Sequence, residues 1–549
     1  LPARLSKNLV RRGRRDLRAV ILSRRAIPAG STVHQGSLQA RRHSRRETVS
    51  ATNSPSIIFS AAPPTIEDIA AIARRHARIE VSAEVEARIV AARAVVDRYT
   101  ESDLPVYGLT TGLGAGVDTR LATEDLVAFQ LRVPQARAVG VGEPLARESV
   151  RAMMAVRAAG MAAGGTGVSL KVFQGLIAAI NAGVHPVVPS LGSIGAADLA
   201  PLAHMSRGLL GFGEIELGGE VLPAAIALDR AGLKPLEFAP KDGHALVVAN
   251  SLSIGLACLT LVDIERLFDW SLKAIAISFE AFRANVSAFD DRALAARPAF
   301  GQRRVAAQLM ELLSGSSLLT ADAARRLQDP LSYRCTPQVW GALRHAIDEA
   351  RQATDIELVS SSDNPVVIAS EGVILSHGNF DMTAFVLAWE RLGQAMAHCA
   401  AGTAYRIMKI MSPGMSDLPR FLTPMGQSRT GFATVQKTVS AMEAEIRHLA
   451  MPVSLSPIPV ADGVEDQASM APSVLAKAQA IVERLRYLVA IELIASVQAV
   501  ELRGVSGELG KGSAQAYAFV RTHVPALEED RAQGPDFATI AALIGLGPQ

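Results

Sequence analysis

The chain has 549 residues, of which 49% are hydrophobic and 20% charged, with a net charge of +3. That composition excludes a disordered or fibrous protein and fits a globular chain of roughly three to four domains. Its three cysteines, Cys258, Cys335 and Cys399, lie too far apart for a disulfide scaffold or a CxxC metal or redox site. A reducing, cytoplasmic setting is the simplest fit.

The modest net charge hides an asymmetry. Residues 1–50 hold 13 of the 56 basic and 2 of the 53 acidic residues, a local charge of +11, which leaves the rest of the chain at −8. Three readings stay open for residues 1–52: a disordered extension, an Arg-rich transit peptide, or a nucleic-acid-binding arm. The acidic body speaks against a nucleic-acid partner. Beyond this stretch, Ser82 is placed to cap a helix whose apolar positions Val85, Ile89, Ala92 and Val96 share one face. Residues 147–163 read as a further buried helix, and 214–222, around Gly218-Gly219, as a small hairpin. Residues 252–286, 385–404 and 433–449 read as long helices. From Pro472 to Leu502, Val474, Ala478, Ile481, Leu485, Leu488 and Val489 make a broad stripe, and later apolar residues point in several directions. Such a helix is buried among others. Residues 474–502 are taken as the most apolar long segment, and Lys477, Glu483, Arg484, Arg486 and Glu492 interrupt it, so no membrane span is expected.

The pattern predicts a mainly α protein, an elongated helical bundle with a loop-built active site, completed by oligomerisation. Residues 53–250 are expected to form a loop-rich active-site domain, and 251–549 a long-helix bundle domain. Polar residues cluster in seven Gly- and Pro-containing connectors between the helices. No P-loop, no nucleophile elbow and no paired His or Cys at metal-ligand spacing is present.

These connectors resemble, in order, the loops of the histidine and aromatic amino acid ammonia-lyases. Tyr107-Gly108-Leu109-Thr110-Thr111-Gly112-Leu113-Gly114 is similar to the family's base loop. HPVVPSLGSIGAADLAPLAHM (185–205) resembles its cofactor loop and QDPLSYRCTPQV (328–339) its substrate loop. SSDNPVV (361–367), GNF (378–380), LPRFLTP (418–424) and Glu465-Asp466-Gln467 follow in the expected order. The resemblance implies a mostly α homotetramer whose active sites draw on loops from more than one chain. It also implies an amino acid substrate and a cofactor, 4-methylideneimidazol-5-one, cyclised from an internal Ala-Ser-Gly. By the same resemblance Tyr107 stands at the catalytic base, and Arg334 at the arginine that holds the substrate carboxylate as a planar fork. Gln328, Asn364 and Asn379 match polar site positions, and Glu465 a glutamate that contacts the amine.

The sequence departs from this pattern at chemical positions. Gly195-Ala196-Ala197-Asp198 replaces Gly-Ala-Ser-Gly-Asp, so Ala196 and Ala197 offer neither the serine that dehydrates nor the glycine whose amide attacks. No cofactor is therefore expected from the sequence as written. Val248 falls where the family has an asparagine, and Asn250 serves only if the loop shifts. Leu331 replaces a tyrosine, with Tyr333 two residues on. Arg137 occupies the position that selects the substrate ring, where a cation suits an anionic group. Asp381 replaces a histidine, His204 reads as a satisfied core histidine, and His377 is open. The expected function is elimination of ammonia, or a related β-elimination, from an amino acid or similar anionic substrate. The alternative is a non-catalytic ligand-binding or scaffold protein on the same fold.

Overall fold

Helix starts and stops follow local chemistry. The Ser82 hydroxyl accepts the Val85 amide at 3.4 Å and caps the helix Ala83–Thr100, whose buried residues are Val85, Ile89, Ala92, Val95 and Val96. Pro472 sits in the first turn of the helix Ala471–Arg503, where its missing N–H leaves nothing unpaired, and left-handed Gly504 ends that helix. From Leu488 to Val500 every residue of this helix is buried, which is the all-round apolar pattern read from its sequence. The computed structural model describes residues 55–546 apart from 425, 427 and 456. The basic stretch 1–52 lies outside the described residues.

The core is a set of long helices. Ser251–Phe282 packs along Ala471–Arg503, which packs on Thr383–Ile410, and that helix on Thr336–Val359. Arg147–Ala162, buried over most of its length, lies against Ser251–Phe282. The protein is mainly α, as its sequence predicts. One expectation needs correction: the most apolar long helical stretch is Asp242–Phe282, with a mean hydropathy of 2.1 in its best window, not 474–502. It is long and apolar enough to cross a membrane by composition, yet 89% of that window is buried inside the protein.

Two buried ion pairs tie the helices together. Arg406 and Glu492 form a bidentate pair at 2.5 and 2.8 Å, both almost fully buried, with the guanidinium over the Trp340 ring. Arg157 pairs with Asp363 at 2.6 Å and donates to the Ala245 carbonyl at 2.7 Å, linking the helix Arg147–Ala162 to the loop of Asp363 and to the short helix Asp242–Val247. Strands are short and local. The hairpin expected at 214–222 is present as Glu214–Leu217 against Glu220–Pro223, with Val184–Pro186 as a third strand. Val141–Pro144 pairs with Pro189–Leu191, and Val366–Ile368 with Val373–Leu375. The sequence did not announce these pairs, because three or four residues are too few for alternation to register.

Candidate active site

Loops and the helices Leu126–Arg137 and Asp242–Val247 converge on a cavity of about 530 Å³. Tyr107 comes from a tight loop in which the Val106 carbonyl accepts the amides of Leu109, Thr110 and Thr111 at 3.0–3.1 Å. The Thr110 hydroxyl closes the same turn on the Val106 amide at 2.8 Å. Gly108 has φ +67°, and a Cβ there would lie 2.7 Å from His244 Cδ2, so only glycine suits this position. Buried Gln130 donates to the Gly108 carbonyl at 3.0 Å and accepts the His244 amide at 2.9 Å, joining the loop to the helix Asp242–Val247.

The Ala196-Ala197 loop lines the same cavity. The buried Asp198 carboxylate anchors it by accepting the Ser193 hydroxyl and the Ser253 amide, both at 2.8 Å. Burial raises the Asp198 pKa, and these donors act against the rise. Met470 N–H holds the Ile194 carbonyl, and the Ser469 hydroxyl holds that of Gly195. Ala197 is left with φ +63°, a left-handed conformation costly for a residue with a Cβ.

Of the residues expected at the site, Tyr107, Arg137, Ala196, Ala197, Asn364 and Glu465 line this one cavity. Val248 and Asp381 line it as well. Arg137 ends the helix Leu126–Arg137 half-buried. Burial lowers its pKa, while nearby Tyr107 and Glu465 oppose that shift. It forms no ion pair among the described residues. Asn364 accepts the His377 amide at 3.0 Å, and His377 Nδ1 accepts the Asn379 amide at 2.9 Å, so His377 serves as a strut of this loop.

Other expected residues lie elsewhere. Tyr333 is wholly buried, stacked on Phe282 at 4.2 Å and within 3.2 Å of the Ser278 hydroxyl, and burial pushes its phenol up. It packs the core and does not replace the tyrosine lost at Leu331. Asn250 is buried and does not line the cavity; its amide nitrogen donates to the Phe380 carbonyl at 2.8 Å, so the loop has not shifted to present it. Arg334 bonds to Gln328 on the exposed surface, and neither lines the cavity within this protomer. Asn379 is exposed beside the site. His204 is not a satisfied core histidine: it is only partly buried and its Nε2 has no partner. Sequence reading missed His244, which lines the cavity. The available signal was a histidine set in an otherwise apolar run, Ala245-Leu246-Val247-Val248.

Tyr107, Arg137 and Glu465 thus share one loop-built cavity on a helical bundle. A sequence profile of the aromatic amino acid lyases matches residues 65–522. The chain is 38% identical over 484 residues to the histidine ammonia-lyase of Symbiobacterium thermophilum, covering 88% of this chain and 95% of that one. The solved structure of ergothionase from Treponema denticola superposes with a TM-score of 0.85 at 30% identity, covering 89% and 98% of the two chains. Histidine ammonia-lyase from Trypanosoma cruzi does so with a TM-score of 0.82 at 30% identity, covering 89% and 93%. The chain belongs to the aromatic amino acid lyase family, and by class it is a carbon–nitrogen lyase of the ammonia-eliminating type.

The family's prosthetic ring needs a side chain that loses water and an amide nitrogen that attacks a carbonyl. Ala196 and Ala197 carry only methyl groups, and the amide of Asp198 is engaged with the Ala249 carbonyl at 2.8 Å. The residues present do not fit that ring.

Proposed function

We propose that this chain eliminates ammonia, or a related β-leaving group, from an amino acid or similar anionic substrate without a self-made electrophile. The observation that carries the reading is that the phenol of Tyr107, the guanidinium of Arg137 and the carboxylate of Glu465 line one cavity. In this reading the deprotonated Tyr107 oxygen takes the proton from the carbon next to the one bearing nitrogen. The freed electron pair forms the double bond, the C–N bond breaks and nitrogen leaves as ammonia, which takes the proton back from the phenol. Glu465 holds the ammonium before it departs, and Arg137 neutralises an anionic group. Without a ring the acidity of the C–H must come from the substrate itself, which favours one with an electron-withdrawing group on that carbon. Ergothionase, a structural relative, was crystallised with a sulfonic acid ligand, in line with an anionic substrate.

Arg334 and Gln328, remote from this cavity, are supplied by another copy in a homotetramer, and the enzyme is cytoplasmic. Residues 53–250 carry most of the site loops, and 251–549 the bundle. Light scattering tests the assembly. Intact mass and near-ultraviolet absorbance test the ring, and any loss of water from Ala196–Asp198 would contradict its absence. Unsaturated-acid absorbance over an amino acid panel, against a Tyr107→Phe control, tests the activity. The second reading, a ligand-binding protein on the lyase fold, is favoured by the two methyl groups at 196 and 197. Tight binding with no turnover would establish it.

A further inference from the structure

His244 stands in the cavity wall, yet its side chain is fully buried and neither Nδ1 nor Nε2 has a hydrogen-bond partner among the described residues. An imidazole stripped of water on both nitrogens is unfavourable unless something completes it. Its neighbour Gln130 does not, because both ends of that amide are engaged with backbone groups. The ring lies edge-on to Tyr107, centroids 6.2 Å apart at 89°. Burial, then Lys241, Arg137 and Arg157, hold the imidazole well below its ordinary titration range. It is thus neutral, with one N–H to donate. Arg157 is already paired with Asp363, and Lys241 donates to the Thr166 carbonyl. Arg137 remains free of any ion pair among the described residues.

We infer that His244 and Arg137 form an anion-binding corner of the cavity. The guanidinium supplies charge, and the imidazole N–H a directed hydrogen bond, to a carboxylate or similar group of the substrate. This rests on the elimination reading above. The guanidinium of Arg137, without an ion-pair partner among the described residues, favours an anion at this corner and disfavours an ammonium, for which Glu465, Asp466 and Asp381 on the same lining are suited. The corner borders Tyr107, so the bound carboxylate is the one attached to the carbon that loses its proton. The C–H bond breaks, the proton goes to the deprotonated Tyr107 oxygen, and the electron pair enters the carboxylate as its aci form. The pair returns as the double bond while the C–N bond breaks and ammonia leaves. The substrate class is therefore an amino acid with a second acidic group on the carbon that loses its proton.

The test uses the full chain, His244→Leu and His244→Asn, with succinate, L-aspartate, L-histidine and L-phenylalanine as probes in thermal-shift and turnover assays. Succinate and L-aspartate are expected to raise the melting temperature of the unmodified protein. His244→Leu should weaken both at least tenfold and melt, without ligand, at the same or a higher temperature, since it removes two unpaired polar atoms. His244→Asn should restore part of the binding. A merely structural histidine would behave oppositely, so a lower ligand-free melting temperature for His244→Leu overturns the inference. Equal succinate binding by the two proteins, or none by the unmodified one, also overturns it. Turnover of L-histidine or L-phenylalanine that His244→Leu leaves unchanged sinks the inference and spares the elimination reading. No binding and no turnover of any probe by the unmodified protein sinks both.

Discussion

The amide of Gly114 donates to the phenol oxygen of Tyr107 at 2.9 Å, so the loop that carries the side chain also returns to hold its reacting atom. The base of the loop is cinched on the Val106 carbonyl and its tip on the phenol. Tyr107 is aimed by its own loop rather than by burial, and the oxygen keeps a lone pair for the cavity. That arrangement suits a group that must meet a proton in one place.

Replacing Tyr107 with Phe removes only the oxygen. Turnover should fall by roughly 10²–10⁴-fold, the usual contribution of a positioned acid–base group. Stability should fall by about 1 kcal/mol or less, since Gly114 loses one partly exposed acceptor. Steady-state rates and thermal melts measure both, and unchanged turnover would remove Tyr107 from the mechanism.

Gly108→Ala should cost activity and stability together. The new methyl meets His244 Cδ2 at 2.7 Å in a backbone conformation that L-residues resist by about 1–2 kcal/mol. The loop must then move, and with it the phenol. A variant that melts and turns over like the parent would show that the loop accommodates the methyl at no cost.

Ala197→Gly should act in the opposite sense. Its φ of +63° is strained with a Cβ and natural for glycine, so a gain of about 0.5–1 kcal/mol is expected after the entropy of the unfolded glycine is counted. Chemical denaturation measures it. A loss would mean that the Ala197 methyl contributes more by packing than its backbone costs.

Arg406→Met should destabilise by about 3–5 kcal/mol, because it strands the buried Glu492 carboxylate. Adding Glu492→Leu in the same chain should recover most of that loss. A double variant no more stable than the single one would show that the ion pair is worth more than apolar packing here.

Burial, and then Asp381, push the Glu357 carboxyl up to about 7. A folded pKa above the unfolded value of about 4.3 means that the native state favours the proton. The associated stability is full below about pH 4.3 and is lost as pH rises through about 7. Glu357→Gln should therefore change little in acid and raise stability by about 1–2 kcal/mol above pH 7, discounted for partial solvent access. Melting curves across this range decide it, and a parallel offset at every pH would contradict the assignment.

Which site residues were legible follows from where they sit. Tyr107, Asn364 and Glu465 lie in Gly- and Pro-punctuated loops, where a polar residue has no helical role to hide behind. His244 lies in a six-residue buried helix, where a polar side chain looks like an exception to an apolar run. Tyr333 misled for the converse reason. A tyrosine in a loop motif reads as chemistry, but Phe279, Phe282 and Ser278 enclose it in the core.

The sequence by itself determined the helices, because apolar periodicity, caps and breakers act within a few residues of one another. It also determined that two methyl groups occupy the loop where the family's ring is made, since that is a matter of composition. Only the tertiary structure decided which side chains share the cavity. Tyr107, Arg137, Ala197, His244 and Glu465 meet there across hundreds of residues of chain, and such convergence is set by how the long helices pack. The same packing carried Arg334 to the exposed surface and Tyr333 into the core, an outcome that no local pattern encodes.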